Sequence, residues 1–382
     1  MNAKQVELGG LVDIVMGQAP PGEACNKEER GTIFVKAGEF QERTPIIREW
    51  TTKPLKHAKT NDVLLCVVGA TAGKVNQSTF DCAIGRSVAA VRARDDYLDP
   101  LFLFQFLQTK VGGLRGKSQG AAQGVITREM IQSLSLVLPT LSEQRRIAAI
   151  LDQADALRVK RKEALAQLDS LTQAIFIDMF GDPVINPKKW QILALSKACV
   201  NITDGTHDTP KRVSKGIPFI TSKNIRPFQL DLADLEYVTL ETYQEIIKRC
   251  HPKFEDVLYT NIGANVGNAV MNQLTFEFSL KNVALIQPNK LYLNSTFLES
   301  LLNYETFKQN ILGKSSTGGA QKFIPLKTLR EINIVLPPIE TQVSYASRVA
   351  EVRKISLKHT SALGGLNELF ASLQSSAFRG EL

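Results

Sequence analysis

Residues 118–144 read SQGAAQGVITREMIQSLSLVLPTLSEQ, and residues 316–342 read STGGAQKFIPLKTLREINIVLPPIETQ. At an offset of 198, Gly120 falls on Gly318, Gln123 on Gln321, Pro139 on Pro337 and Gln144 on Gln342. Beyond each segment the same offset continues into a helical pattern. The first copy has Leu157, Arg161, Ala164, Leu168, Leu171 and Ile175; the second has Ile355, His359, Ala362, Leu366, Leu369 and Leu373. Steps of four and three make a heptad seam. The chain is therefore an internal duplication, each copy a globular unit followed by a long helix.

Working back from the helices, the copies stay in step. GTIFVKAGEF (31–40) and GIPFITSKNI (216–225) each predict a short strand ended by polar residues. DVLLCVVGATAGKV (62–75) and DVLYTNIGANVGNAV (256–270) are β-rich runs broken by a Gly-x-x-x-Gly turn, with Asp62 on Asp256, Gly69 on Gly263 and Gly73 on Gly267. RSVAAVRA (86–93) and KNVALIQP (281–288) predict another strand, and residues 97–109 and 292–304 a helix capped by Asp99 or Asn294. From Asp62 onward the offset drifts only between 194 and 198, which places insertions in loops.

The fold class expected is mixed α/β, with two similar globular units and two long helices. The boundaries are 1–141 for the first unit, 142–180 for its helix, 181–340 for the second unit and 341–382 for the last helix. Thr140 with Glu143 can form a capping box, with Ser142 competing, and Gly181-Asp182-Pro183 ends the first helix. Gly364-Gly365 is a soft point in the second. At about 35 residues each helix is about 50 Å long. An isolated apolar stripe would face water, so two matching seams most simply bury each other, and a pseudo-two-fold duplication runs them antiparallel.

The 382 residues allow two or three domains, and 43% hydrophobic with 22% charged residues is ordinary globular composition. The net charge of +8 divides into +3 over 1–142, zero over 143–179, +3 over 180–341 and +2 over the rest. One modest basic excess per unit fits a polyanion partner. Cys25, Cys66, Cys82, Cys199 and Cys250 are odd in number and lack CxxC spacing, which argues against structural zinc and disulfides. Glu7 and Asp13 interrupt the first apolar stretch, and the longest apolar run, Val63 to Val68, is too short to span a bilayer. A cytoplasmic protein is expected.

Two stretches imitate chemistry. Gly69-Ala-Thr-Ala-Gly73-Lys74-Val75 lacks the four-residue spacing and the Ser or Thr of a phosphate loop, and Asn268 stands where Lys74 does in the other copy. Asp204-Gly-Thr-His207-Asp208 puts a histidine between carboxylates, but the first copy has Gly17-Gln-Ala-Pro-Pro there. With only His57, His207, His251 and His359 in the chain, a multi-histidine metal centre is hard to build. No methyltransferase Asn/Asp-Pro-Pro-Tyr motif and no nucleophilic constellation is present, so no catalysis and no metal are expected.

The segment LPTLSEQRRIAAILDQADALRVKRKEALAQLDSLTQAIFIDMFGDP (138–183) resembles the central region of Type I restriction–modification specificity subunits. DGTHDTP (204–210), GIPFITSKNI and the paired DVL…G…G turns are similar to their target recognition domains, and LQSSAFRGEL (373–382) to their C-terminal signature. The first unit departs from the DGTH pattern, as recognition domains in that family vary. The resemblance implies two recognition domains separated by two antiparallel conserved helices. It implies a subunit that reads a bipartite double-stranded DNA target, one half per domain, across a spacer set by the helices. Two modification subunits that methylate adenine would dock on it, and motor–nuclease subunits would join them. S-adenosylmethionine, ATP and Mg would be bound by those partners, with no cofactor in this chain. The alternative is a non-catalytic coiled-coil adaptor that binds proteins only; a self-sufficient methyltransferase is a third reading, disfavoured by the missing motifs.

Base reading is expected from loops, where polar and basic side chains reach groove edges. In the first unit the candidates are Gln18, Lys36, Glu39, Gln41 and Arg43; in the second they are Thr206, His207, Thr209, Lys211, Arg212, Lys223, Asn224 and Arg226. Gln123, Gln144, Arg145, Arg146, Gln321 and Gln342 lie where each unit joins its helix. Residues matched in both copies cannot read two different half-sites, so these are candidates for structure or for equivalent partner contacts.

Overall fold

In the computed structural model, residues 4–119, 124–263, 265–313 and 323–382 are described. Gln123 and Gln321, with Gly120 and Gly318, lie outside them. The chain divides into two compact units. Unit 1 comprises 1–162 and 361–382, and unit 2 comprises 163–360.

Unit 1 contains β1 (Lys4–Glu7), β2 (Val12–Met16), β3 (Thr32–Val35), β4 (Val63–Cys66), β5 (Val75–Gln77), β6 (Cys82–Ile84), β7 (Val88–Ala93), α1 (Pro100–Gln119), β8 (Ser135–Leu138) and the start of α2 (Leu141–Phe180). Its main sheet has the order β2-β7-β4-β5 and is antiparallel, with Ala89 opposite Leu65 and Val15 opposite Ala90. β3 runs parallel to β6, Val35 opposite Ile84. All four residues of β4 are buried because both faces of the sheet are covered. Val63, Leu65, Ala89 and Val91 share one core with Phe102 and Phe106 of α1, while Leu64, Cys66, Val88 and Ala90 share another with Val35 and Ile84. That two-sided burial explains a strand reading VLLC instead of alternating.

Unit 2 repeats the plan with β9 (Gln191–Ala194), β10 (Cys199–Asp204), β11 (Ile217–Thr221), β12 (Val257–Tyr259), β13 (Ala269–Met271), β14 (Ser279–Lys281), β15 (Ala284–Pro288), α3 (Ser295–Asn303), β16 (Asn333–Leu336) and the start of α4 (Ile339–Arg379). The order β10-β15-β12-β13 matches that of unit 1, and β11 runs parallel to β14. Val257 and Tyr259 face Phe297 and Leu301 of α3, while Leu258 and Leu285 face Ile220 and Leu280. The Gly-x-x-x-Gly turns are hairpin connections with φ of 85° and 87° in one copy and 98° and 93° in the other. Lys74 donates to the Phe40 carbonyl at 2.8 Å, so it braces the fold and forms no phosphate loop.

Both helices exceed the expected length, at 40 and 41 residues, or about 60 Å. Asp99 accepts from the Leu101 and Phe102 amides at 3.0 Å, and Asn294 from Thr296 and Phe297 at 2.9 and 3.2 Å, so both N-caps form as predicted. Thr140 accepts from the Glu143 amide at 3.4 Å, and Gly181, with φ of 75°, closes α2. α4 passes through Gly364-Gly365 without interruption. The helices share units in antiparallel order: 141–162 lies with 361–379, and 163–180 with 339–360. In unit 1 Arg158 donates to Asn367 at 2.8 Å and stacks on Phe370, and Phe378 packs on Phe102 and Phe106. In unit 2 Phe176 and Phe180 pack on Tyr345 and Phe297.

The seam differs from the one the sequence suggests. Leu157, Leu171, Ile355 and Leu369 are 55%, 46%, 44% and 52% exposed, whereas Phe176, Val352, Phe370 and Ala377 are buried. The apolar stripe on each helix is wider than the face its unit covers.

Candidate nucleic-acid interface

Three turns meet at one edge of each unit because of strand direction. β3 and β6 are parallel, so their C-terminal ends lie side by side, and the Gly85 amide donates to the Val35 carbonyl at 3.0 Å. β2 ends beside the start of β7: Gly17 donates to the Val88 carbonyl at 2.9 Å and Gln18 to that of Ile84 at 3.0 Å. In unit 2 Gly205 donates to Val283 at 2.9 Å and Thr206 to Leu280 at 3.0 Å. Glycine is required at both sites. A Cβ on Gly17 would sit 2.2 Å from the Gly85 carbonyl oxygen, and one on Gly205 would sit 2.2 Å from that of Leu280. The DGTH and GQAPP stretches, unlike in sequence, are thus the same turn.

The second turn is a short 3-10 element after β3 or β11. In unit 1 the Glu39 carboxylate accepts from the Lys36 amide at 2.8 Å; in unit 2 Asn224 accepts from the Thr221 amide at 3.0 Å and donates to the Asp231 carbonyl at 3.0 Å. Glu39 is 7% and Asn224 3% exposed. These two expected base readers are instead the buried caps of equivalent turns. Arg43 is also used internally, paired with Asp152 and lying over the Phe104 ring.

The remaining candidates divide by exposure. Gln18, Lys36, Gln41, His207, Thr209, Lys211, Lys223 and Arg226 are exposed, and Thr206 and Arg212 are half-buried. Gln41 is fixed through its backbone to Asn76, at 3.0 and 2.8 Å. Lys36 pairs with Glu49, and that bond raises its pKa above the usual lysine value. Glu236 receives Lys223 at 2.9 Å and also Arg212, which lies over Phe219. Lys223 and then Arg212 hold its carboxyl below the usual range. Arg226 stands 4.0 Å from Asp231. His207 lies 2.8 Å from Asp204 and 3.0 Å from Asn282, and Arg249 also pairs with the buried Asp204. That network holds the turn, and among the described residues no three His, Cys, Asp or Glu side chains group as metal ligands. All five cysteines are free thiols.

The edge also holds residues that sequence reasoning missed: Arg86, Lys281, Asn282 and Arg249. In unit 1 Ala19, Phe34, Lys36, Gly85 and Arg86 line a shallow cleft of about 390 Å³. The only available signal was that RSVAAVRA and KNVALIQP open on aligned cations.

The junction glutamines turn inward. Gln144 is 1% exposed; it accepts from the Asp99 amide at 2.8 Å and donates to the Tyr97 and Pro139 carbonyls at 3.0 Å. Gln342, fully buried, repeats this with Asn294 at 2.9 Å, Tyr292 at 2.9 Å and Pro337 at 2.7 Å. Each is a structural clasp of helix to unit, and burial leaves neither free for a partner. Arg145 and Arg146 remain exposed on the first turns of α2, beside Asp99 at 3.9 Å and Glu143 at 2.6 Å. No helix among the described residues is long and apolar enough to cross a membrane.

Comparison with known proteins places these features. The family model for the Type I restriction modification DNA specificity domain matches twice, at residues 2–168 and 187–362. A putative type I restriction enzyme MjaX specificity subunit of Methanocaldococcus jannaschii is 36% identical over 162 residues, which is 41% of this chain and 38% of that protein. The type I restriction enzyme EcoBI specificity subunit of Escherichia coli is 22% identical over 333 residues, 78% of this chain and 69% of the relative. The crystal structure of the Type I restriction–modification S subunit from M. genitalium shares the fold, with a TM-score of 0.62 at 15% identity over 99% of this chain and 96% of that one.

Proposed function

The chain belongs to the Type I restriction modification DNA specificity family, and on that premise we propose that each of its two units reads one half of a bipartite DNA target. The observation that carries this reading is the duplicated edge. One framework of three turns, fixed by the same hydrogen bonds, carries different side chains in the two units. A shared scaffold positions both units on a duplex in the same way, and the side chains that differ choose the bases. The mild positive excess in each unit supplies the phosphate attraction.

The helices set the spacer between the half-sites and carry the partners. Two kinds of surface support docking of two modification subunits. Arg145 and Arg146 stay exposed at the start of α2. Leu157 with Leu369 in unit 1, and Leu171 with Ile355 in unit 2, leave large apolar side chains in water. The offset of 198 maps Leu157 onto Ile355 and Leu171 onto Leu369, as two equivalent docking sites for one kind of partner require. Adenine methylation belongs to those subunits with S-adenosylmethionine, and DNA cleavage to motor–nuclease subunits with ATP and Mg. This chain supplies specificity and no catalysis.

The test is a methylome. The full chain is expressed with its genomic modification subunit, and modified adenines are mapped by single-molecule sequencing. A two-part motif with a fixed gap is the expected result. Salt-independent or absent DNA binding by the assembled complex would favour a protein-only adaptor instead.

A further inference from the structure

Within the conserved edge, one turn changes both length and chemistry. It lies between β6 and β7 in unit 1 and between β14 and β15 in unit 2. Its brackets are the matched bonds Gln18 to Ile84 and Gly17 to Val88, and Thr206 to Leu280 and Gly205 to Val283. Between them stand three residues in unit 1, Gly85-Arg86-Ser87, and two in unit 2, Lys281-Asn282. Units that share a framework but read different sequences must differ somewhere that the framework holds still, and this turn meets that condition.

Arg86 is the cation at the tip. It is exposed, and among the described residues no ion pair or hydrogen bond engages its guanidinium. Lys36, which lines the same cleft, is by contrast engaged with Glu49. The turn beneath Arg86 is anchored. Gly85 donates to Val35, and its Cα lies so near the Phe34 ring that a Cβ would stand 3.3 Å from it. Phosphate contacts tolerate a mobile lysine, whereas reading a base edge needs a planar fork on a fixed support.

We propose that Arg86 is a specificity-determining residue of unit 1, donating two hydrogen bonds from its guanidinium to O6 and N7 of one guanine in the major groove. This rests on the DNA-reading function proposed above. Lys36, on the same cleft, contacts the adjacent phosphate backbone.

The test uses the complex reconstituted from the full chain and its modification subunit, with methylation rates measured on duplexes that each carry one base change in the two-part target. Arg86→Ala and Arg86→Lys are compared with wild type. Both should lose discrimination at a single G·C position of one half-site by roughly 5- to 150-fold, with the other half-site read as before. Equal slowing on every duplex would make Arg86 a phosphate contact, and unchanged discrimination would remove it from the interface; either result overturns the assignment. Among the described residues Arg86 has no internal partner, so the chain's melting and subunit stoichiometry should be unchanged, which separates misreading from misfolding. A wild-type complex with no two-part target would sink the functional reading itself, a result distinct from an intact wild-type target that Arg86 does not affect.

Discussion

Gln144→Met removes three hydrogen bonds without changing side-chain length. The Asp99 amide loses its acceptor at 2.8 Å, and the Tyr97 and Pro139 carbonyls lose donors at 3.0 Å. Each such bond is worth about 0.5–1.5 kcal/mol net, and a buried group left without a partner costs more, so a loss of about 2–4 kcal/mol is expected. For a unit of this size that lowers the melting temperature by roughly 5–15 °C. The two tryptophans make the assay specific, because Trp50 lies in unit 1 and Trp190 in unit 2. In a Trp190→Phe background, urea unfolding followed by fluorescence reports unit 1 alone. Gln342→Met in a Trp50→Phe background gives the mirror experiment. A loss below about 0.5 kcal/mol, the usual scale of surface substitutions, would refute the clasp. If subunit assembly weakened while the isolated chain stayed as stable as before, Gln144 would be a partner contact after all.

Two further outcomes follow from particular residues. Gly364 and Gly365 are helical and exposed, and a Cβ on either would meet nothing within 4 Å. Replacing both with Ala should therefore stabilise unit 1 by about 0.5–1 kcal/mol each, read from the shift in urea midpoint. Glu236 in unit 2 has its folded-state pKa depressed below 4.5 by Lys223 and Arg212, so its stabilising contribution is present above that value and lost as pH falls through the depressed one. Melting curves of wild type and Glu236→Gln should differ at neutral pH and converge in acid; a gap that persists in acid would show that charge is not its source.

Periodicity and glycine placement made much of the fold legible. The duplication, the two long helices, the caps at Asp99 and Asn294 and the left-handed hairpin glycines all depend on local chemistry that a sequence displays. The seam was harder. A four-three repeat shows that a helix has an apolar stripe, but not how much of it the chain itself covers. Leu157 and Phe370 look alike in sequence, yet one is exposed and the other buried. The candidate interface was legible by region and less so by residue. Glu39, Asn224 and Arg43 sit in the right loops, but a polar loop residue that caps its own turn or reaches back to a helix has the same composition as one that faces a ligand. Arg86 and Asn282 escaped notice because their turn is only two or three residues long and becomes prominent only when parallel strands bring it beside two others.

The division of the chain also orders its own manufacture. Unit 2 is one unbroken stretch, whereas the core of unit 1 includes Phe370, Ala377 and Phe378. Phe378 packs on Phe102, 276 positions earlier in the chain. A ribosome therefore finishes the second unit while the first still lacks part of its interior. Contacts this distant in sequence form late, because the loop they close is long. The unit synthesised first is completed after the second, and a nascent chain carries an open apolar surface at unit 1 until residues 361–382 emerge. Emergence of residues 361–382, rather than local folding of the first half, is the event that completes the first unit.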